Sequence, residues 1–293
     1  MKCKTPPGAG NRGLAVTEQI REWGAADAAR HIRVPGPHDN KYTHAVLGVV
    51  TGSEKYPGAA VLGVEAAHRT GIGMVRFLGE KAPADLVLAR RPETVTVSGA
   101  VDAWLVGSGM ESTPDLNPEL PALAHAALGL QPVVVDAGGL GFLDRVSAPA
   151  IITPHEGELE RLVPRNGETR EEWIATAADK LGVVVVLKGY ETLVATPEET
   201  AGGRFLVKVT SPTSWLATAG TGDVLAGIIA ALVATHSVKR VPSLQELAEL
   251  AATGVFLHGK AAELAGEDGP FPALDVAEAV GCAVAWDNSE GKH

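Results

Sequence analysis

The chain has 293 residues, of which 45% are hydrophobic, 20% charged and 4% aromatic, and its formal net charge is −10 at pH 7. This composition suits a globular protein with a large core and excludes disorder, while the acidic balance, with no Lys/Arg run longer than two residues, argues against nucleic acid or anionic membrane as partner. Two distant cysteines, Cys3 and Cys282, and no apolar run near the ~20 residues of a membrane span point to a soluble protein of the cytosol.

Residues 1–37 mix Pro, Gly, His and charged side chains and read as an N-terminal arm or cap, with one short helix around Thr17–Arg30. The remainder, 38–293, reads as a single domain. Its first apolar run, Ala45–Val50, predicts a strand, and alanine-rich helical spacing follows over Tyr56–Thr70 and stops at Gly71. Further strands are predicted at Met74–Leu78, Trp104–Val106, Val133–Asp136, Ile151–Thr153, Val183–Lys188 and Leu193–Thr196, with helices near 116–129, 156–163 and 170–181. Arg204–Val209 alternates well enough to pair with Leu193–Thr196 as a hairpin across a polar, glycine-rich connection. Three helices close the chain, at Val224–Thr235, Leu244–Ala265 and Asp275–Ala285. Short, continuously apolar strands alternating with helices predict an α/β fold with a mostly parallel sheet covered on both faces.

Several loops could carry chemistry. TAGTGDVL, Thr218–Leu225, leads directly into an apolar helix: its glycines let successive backbone N–H groups converge, and the helix adds its positive N-terminal end. That is an anion cradle made by Ala219, Gly220, Thr221 and Gly222. Asp223 beside it suits a plain N-cap, and it equally suits a base that takes a hydroxyl proton while the N–H groups hold developing phosphoryl charge. GSEKYPGAA, Gly52–Ala60, leaves the first strand where α/β sheets bind ligands, or is an ordinary strand-to-helix turn. TPHEGE, Thr153–Glu158, presents His155, Glu156 and Glu158 from the start of a helix; helix-dipole complementarity accounts for the glutamates and leaves His155 unexplained. Lys188 to Thr192 leaves a very apolar strand, so Lys188 is either a snorkelling strand-end lysine or a phosphate contact. Gly107-Ser108-Gly109 reads as a tight turn.

Taken together, GSEKYPGAA, AAHRTGIGMV, VGSGM, VVVDAGGL, ITPHEGE, VVVLKGYET and LATAGTGDVLAGII resemble the ADP- or ATP-dependent NAD(P)H-hydrate dehydratases of the ribokinase-like superfamily, over about residues 38–265. The resemblance implies a three-layer αβα sandwich and a metabolite-repair lyase. The S epimer of hydrated NADH or NADPH would be phosphorylated on its ring hydroxyl at the expense of ADP or ATP, and phosphate would then be eliminated. By position in the motifs it implies that Ala60, Gly109, His155 and Asp223 hold the hydrated dinucleotide, with Asp223 catalytic. Lys188, Gly189, Tyr190, Glu191, Thr192 and Gly222 would hold the adenine nucleotide, and Glu158 would organise Mg2+ through water. It further implies a homo-oligomer, a dimer or tetramer, and an epimerase on a separate protein. SPTSWLATAGTGD departs from the family's usual TGNxxLAxGGTGD, with Thr213 where Asn is expected and Ala219 in place of a glycine, and GSEKYPGAA lacks the commoner glycine before Tyr56. Ala219 remains compatible with an anion hole if its φ is negative. The same residues leave open a small-molecule kinase of the hydroxymethylpyrimidine or hydroxyethylthiazole type, or an inactive nucleotide-binding homologue.

Overall fold

The structure is a computed structural model that describes residues 20–111, 122, 126, 129–198, 203–266 and 269–290. The helix expected near 116–129 lies almost wholly outside these residues. Strands form where the apolar runs are: β2 Val46–Val50, β3 Met74–Phe77, β4 Ala103–Val106, β5 Val133–Val135, β6 Ala150–Ile152, β7 Val184–Leu187, β8 Glu191–Ala195 and β9 Leu206–Thr210, preceded by a short β1, Arg21–Glu22. Among the described residues they build one nine-stranded sheet in the order β1-β9-β8-β7-β6-β5-β4-β2-β3. Only the β7/β8 and β8/β9 pairs are antiparallel. The expected hairpin is therefore present, inserted at one side of an otherwise parallel sheet.

Helices cover both faces, giving the three-layer sandwich implied by the motifs. On one side lie α2 Gly58–Thr70, α3 Lys81–Arg90, α6 Thr221–Ser237, α7 Leu244–Gly266 and α8 Ala273–Glu290. On the other lie α4 Glu156–Leu162, α5 Arg170–Leu181 and a short helical stretch over Ala137–Arg145. Strand side chains alternate between the two cores: Val184 and Val186 of β7 face the first, Val185 and Leu187 the second. This double burial is why these strands read as unbroken apolar runs. Helix α6 is apolar all round because the sheet, α2 and α7 enclose it. It crosses α2 backbone to backbone: a Cβ on Gly227 would lie 2.3 Å from the carbonyl oxygen of Gly63.

The helix expected over Thr17–Arg30 is not formed as such. Arg21–Glu22 instead pairs in parallel with Val207–Lys208 of β9, and only Ala25–Ala28 (α1) is helical, followed by a 3-10 turn to His31. The segment read as an arm thus supplies an edge strand, with Trp23 buried against Phe205. Helix α3 was not expected, since only Pro83 and Val87 of its ten residues are buried and no apolar stripe marks it. Among the described residues, no helix is long and apolar enough to cross a membrane.

Candidate active site

The sheet order brings the loops leaving β4, β5, β6 and β7 side by side at the carboxyl edge, where α/β sheets hold their ligands. One residue from each meets there. Asp136, 2% exposed, accepts a hydrogen bond at Oδ2 from Ser108 Oγ at 2.8 Å, and at Oδ1 from Thr153 Oγ1 at 2.7 Å and from Lys188 Nζ at 3.0 Å. Lys188 Nζ also lies 3.8 Å from Glu158 Oε2. Burial pushes the Lys188 ammonium down, but Asp136 and then Glu158 outweigh it and hold its pKa above the ordinary lysine value. Lys188 is therefore a fixed, charged group inside the site, not a lysine snorkelling to solvent. Its ammonium faces the next element, since a Cβ on Gly222 would sit 3.5 Å away.

That element is the first turn of α6. Gly220 is its N-cap, at φ +93°, a left-handed conformation that glycine adopts without strain. Ala219 is not among the residues with positive φ, so the substitution for the usual glycine leaves the cradle's geometry available. Asp223 is the third residue of the helix, with no capping bond, which removes the plain N-cap reading. Its carboxyl is pushed up to about 7, first by burial and then by the negative charge of Asp136, with Lys188 opposing. A carboxylate poised near neutrality in the first turn of a helix is suited to taking a proton from a hydroxyl while the helix N-terminus holds an anion alongside, although the Thr221 N–H of that turn already donates to the Thr218 carbonyl oxygen at 3.4 Å.

The α2/α6 crossing brings the first glycine-bearing loop to the same place. A Cβ on Gly220 would touch Leu62 at 2.6 Å, and one on Gly63 would lie 3.5 Å from the Asp223 carbonyl oxygen. Ala60 is fully buried in the first turn of α2, and Gly109 abuts that turn, with its carbonyl oxygen accepting from Ser53 Oγ at 2.8 Å. His155 has a local role that helix-dipole reasoning did not supply. It is the N-cap of α4, accepting from Glu158 N–H at Nδ1 (3.2 Å), while Glu158 Oε2 accepts from His155 N–H (2.8 Å) in a reciprocal capping box. The His155 side chain is otherwise 59% exposed, and its Nε2 lies 3.6 Å from Glu158 Oε1.

Next to the cradle opens a cavity of about 540 Å3. It is lined by Lys188, Gly189, Tyr190 and Thr192 at the β7/β8 turn, Thr221 and Gly222 of α6, Pro212–Ser214 after β9, and Val255, Phe256 and His258 of α7. Five of the six residues expected to hold the adenine nucleotide thus share one cavity. Glu191 does not line it; its carboxylate accepts from Lys208 Nζ at 2.8 Å. Ala60, Gly109, His155 and Asp223 lie outside its lining. Thr213, where the motif expects Asn, uses its hydroxyl to accept from Trp215 N–H at 3.2 Å and so caps a 3-10 turn in the loop.

The sequence profile of the NAD(P)H-hydrate dehydratase family matches residues 47–280. The chain belongs to this family. It is 41% identical over 262 residues to the bifunctional NAD(P)H-hydrate repair enzyme Nnr of Mycobacterium leprae, covering 83% of this chain and 50% of that protein. The chain spans about half the length of the bifunctional relatives it matches. To the ADP-dependent (S)-NAD(P)H-hydrate dehydratase of Bacillus subtilis it is 31% identical over 258 residues, covering 80% of this chain and 87% of that one. The crystal structure of the ADP/ATP-dependent NAD(P)H-hydrate dehydratase from Bacillus subtilis, co-crystallised with ATP/Mg2+, superposes with a TM-score of 0.77 over 93% of this chain and all of that one. At 23% identity, that likeness shows the shared fold.

Within this dehydratase-family fold, three residues of the site were not foreseen as such. Asp136 stood only within a quoted motif. His258 is buried, its Nε2 has no hydrogen-bond partner, and its pKa is driven down to about 4 by burial, with Lys188 adding to the effect and the Thr221 backbone opposing it. The ring is therefore neutral at physiological pH. Ala25, from the N-terminal segment, forms part of the cavity wall.

Proposed function

We propose that this chain dehydrates the S epimer of hydrated NADH or NADPH at the expense of ADP or ATP. The single observation that carries the reading is the placement of Asp223 in the first turn of α6, directly after the cavity-lining Gly222 that Lys188 faces, with burial pushing its carboxyl up to about 7. Asp223 takes the proton of the ring hydroxyl as its oxygen attacks the terminal phosphorus of the nucleotide, and the bond to the departing AMP or ADP breaks. The ring nitrogen's lone pair then expels inorganic phosphate by cleaving the ring C–O bond, and loss of a proton from the adjacent carbon restores the dihydropyridine.

In this reading the N–H groups of Ala219, Gly220 and Gly222 and the Lys188 ammonium hold the phosphoryl oxygens as charge develops, the Thr221 N–H being engaged by the Thr218 carbonyl. Lys188, Gly189, Tyr190, Thr192 and Gly222 bind the nucleotide, while Glu191, held by Lys208 and Arg170, lies outside the cavity lining. Ala60, Gly109 and His155 orient the hydrated dinucleotide. Among the described residues no three His, Cys, Asp or Glu form a metal cage. The donor set fits Mg2+ held chiefly by nucleotide phosphates and water, with Glu158 as its protein carboxylate. There it would neutralise phosphate charge. The reading also places residues 38–293 as the catalytic domain of a cytosolic homo-oligomer.

Because the deprotonated Asp223 is the active form, kcat/KM is expected to rise with pH through about 7 and to level above it. ADP or ATP at about a hundred times its Kd should stabilise the fold by about 2.7 kcal/mol, read as a rise in melting temperature. The reaction itself is tested by stoichiometry. With NADH hydrate, Mg2+ and nucleotide, one inorganic phosphate should appear per NADH recovered. A stable phosphorylated product with no NADH would favour a small-molecule kinase instead.

A further inference from the structure

Asp136 sits at the end of β5 with nothing in its own segment to occupy its carboxylate. Its partners arrive from three other strand ends: Ser108 after β4, Thr153 after β6 and Lys188 after β7. Both hydroxyls donate to it, as does the ammonium, so its oxygens are filled and the group is fixed within a buried site. Burying a carboxylate is costly unless it is paired and hydrogen-bonded. Here the arrangement satisfies it completely, and it leaves one feature that folding alone does not require: the ammonium it holds is directed at Gly222 in the first turn of α6, next to Asp223.

We propose that Asp136 is a positioning residue for the reaction, its carboxylate anchoring the Lys188 ammonium against the first turn of α6 and setting a second buried negative charge near Asp223. The inference rests on the proposed role of Asp223 as base. Two consequences follow from one carboxylate. Lys188 is held as a fixed point charge where a transferred phosphoryl group would lie. The Asp223 carboxyl, raised first by burial, meanwhile feels opposing charges from Asp136, which adds to the rise, and Lys188, which limits it. The other titratable groups around the pair are Glu158 on α4, 3.8 Å from Lys188 Nζ, and His258 on α7, which is neutral above about pH 4. The α2 residues that pack on this turn, Leu62 and Gly63, carry no charge. Asp136 and Lys188 are therefore the two charges that act on Asp223.

The test reads Asp223 directly, so it does not depend on the identity of the substrate. In carbon-13 NMR of the full chain with labelled aspartate carboxyls, the Asp223 signal, assigned by its loss in Asp223→Asn, should titrate near pH 7 in the parent protein. Asp136→Asn should lower that midpoint by about one pH unit, the size of a like-charge interaction in a partly buried site, and Lys188→Met should raise it by a similar amount. If one variant fails to fold, the sign of the other decides. With turnover as a second readout, Asp136→Asn should also raise the nucleotide KM, and Asp136→Glu, which keeps the charge but mis-seats the ammonium, should raise that KM while moving the Asp223 midpoint up, opposite in sign to Asp136→Asn. An unchanged Asp223 midpoint in either folded neutral variant would overturn the proposal. Absence of NADH recovery by the parent protein, with these midpoints shifting as described, would tell against the dehydratase reading alone.

Discussion

Asp223→Asn is expected to lower nucleotide-dependent recovery of NADH from its hydrate by about 10²- to 10⁴-fold, the range a positioned general base contributes. Nucleotide affinity should be unchanged or tighter, because the substitution removes a negative charge from beside the phosphates and preserves the side chain's shape. The first turn of α6 should also survive, since its N-cap is Gly220 and the Asp223 side chain makes no capping bond. A Michaelis analysis separates the possibilities: the proposed role lowers kcat with the nucleotide KM held, whereas a purely structural role raises KM and lowers the melting temperature. Turnover within tenfold of the parent protein would remove Asp223 from the chemistry.

Gly227→Val should have the largest effect on stability. The Cβ it adds would meet the Gly63 carbonyl oxygen at 2.3 Å and the Gly63 carbonyl carbon and Cα at 3.0 Å, all backbone atoms that no rotamer change can move aside. Relief requires α2 and α6 to separate, and overpacking of that kind costs about 3 kcal/mol. For a domain of this size the corresponding fall in melting temperature is roughly 6 to 12 °C. The same separation lifts the Ala60 and Leu62 turn away from Gly220 and Asp223, while the nucleotide cavity takes no lining residue from α2. At permissive temperature, KM for the hydrated dinucleotide is therefore expected to rise more than KM for the nucleotide.

Most of the architecture was legible because its cause is local. Strands buried on both faces must be apolar along their whole length, and the runs at Ala45–Val50, Val133–Asp136 and Val183–Lys188 became β2, β5 and β7 within a residue at either end. Helix α5 was equally plain, opened by the capping box of Thr169 and Glu172. Where the cause is non-local, the sequence was silent. Asp136 finds its partners 28, 17 and 52 residues away, so its role exists only once the sheet order sets the loops side by side. Strand β1 is two residues long and depends on pairing with β9, far away in the chain: Arg21 lies opposite Val207. The capping role of His155 was not legible for a different reason: histidine is outside the usual N-cap set of Ser, Thr, Asp and Asn, yet its Nδ1 does the same work. The glycine-capped start of α6 was visible because it leaves a compact signature, TAGTGD, that needs no distant partner.

The acidic balance of the chain acquires a specific meaning at the site. The phosphate-rich ligands it is proposed to bind must enter against a formal charge of −10, so the attraction has to come from groups fixed at short range. Lys188 and the first turn of α6 supply it, and Asp136 keeps the lysine in place.

The central claim, that this family member repairs hydrated nicotinamide cofactors, is tested most directly by incubating the protein with the S epimer of NADH hydrate, Mg2+ and either ADP or ATP and following the near-ultraviolet absorbance of the dihydronicotinamide ring. The expected result is recovery of that absorbance with at least one of the two nucleotides and none without nucleotide. No recovery with either, from protein whose melting temperature still rises on adding the nucleotide, would contradict it.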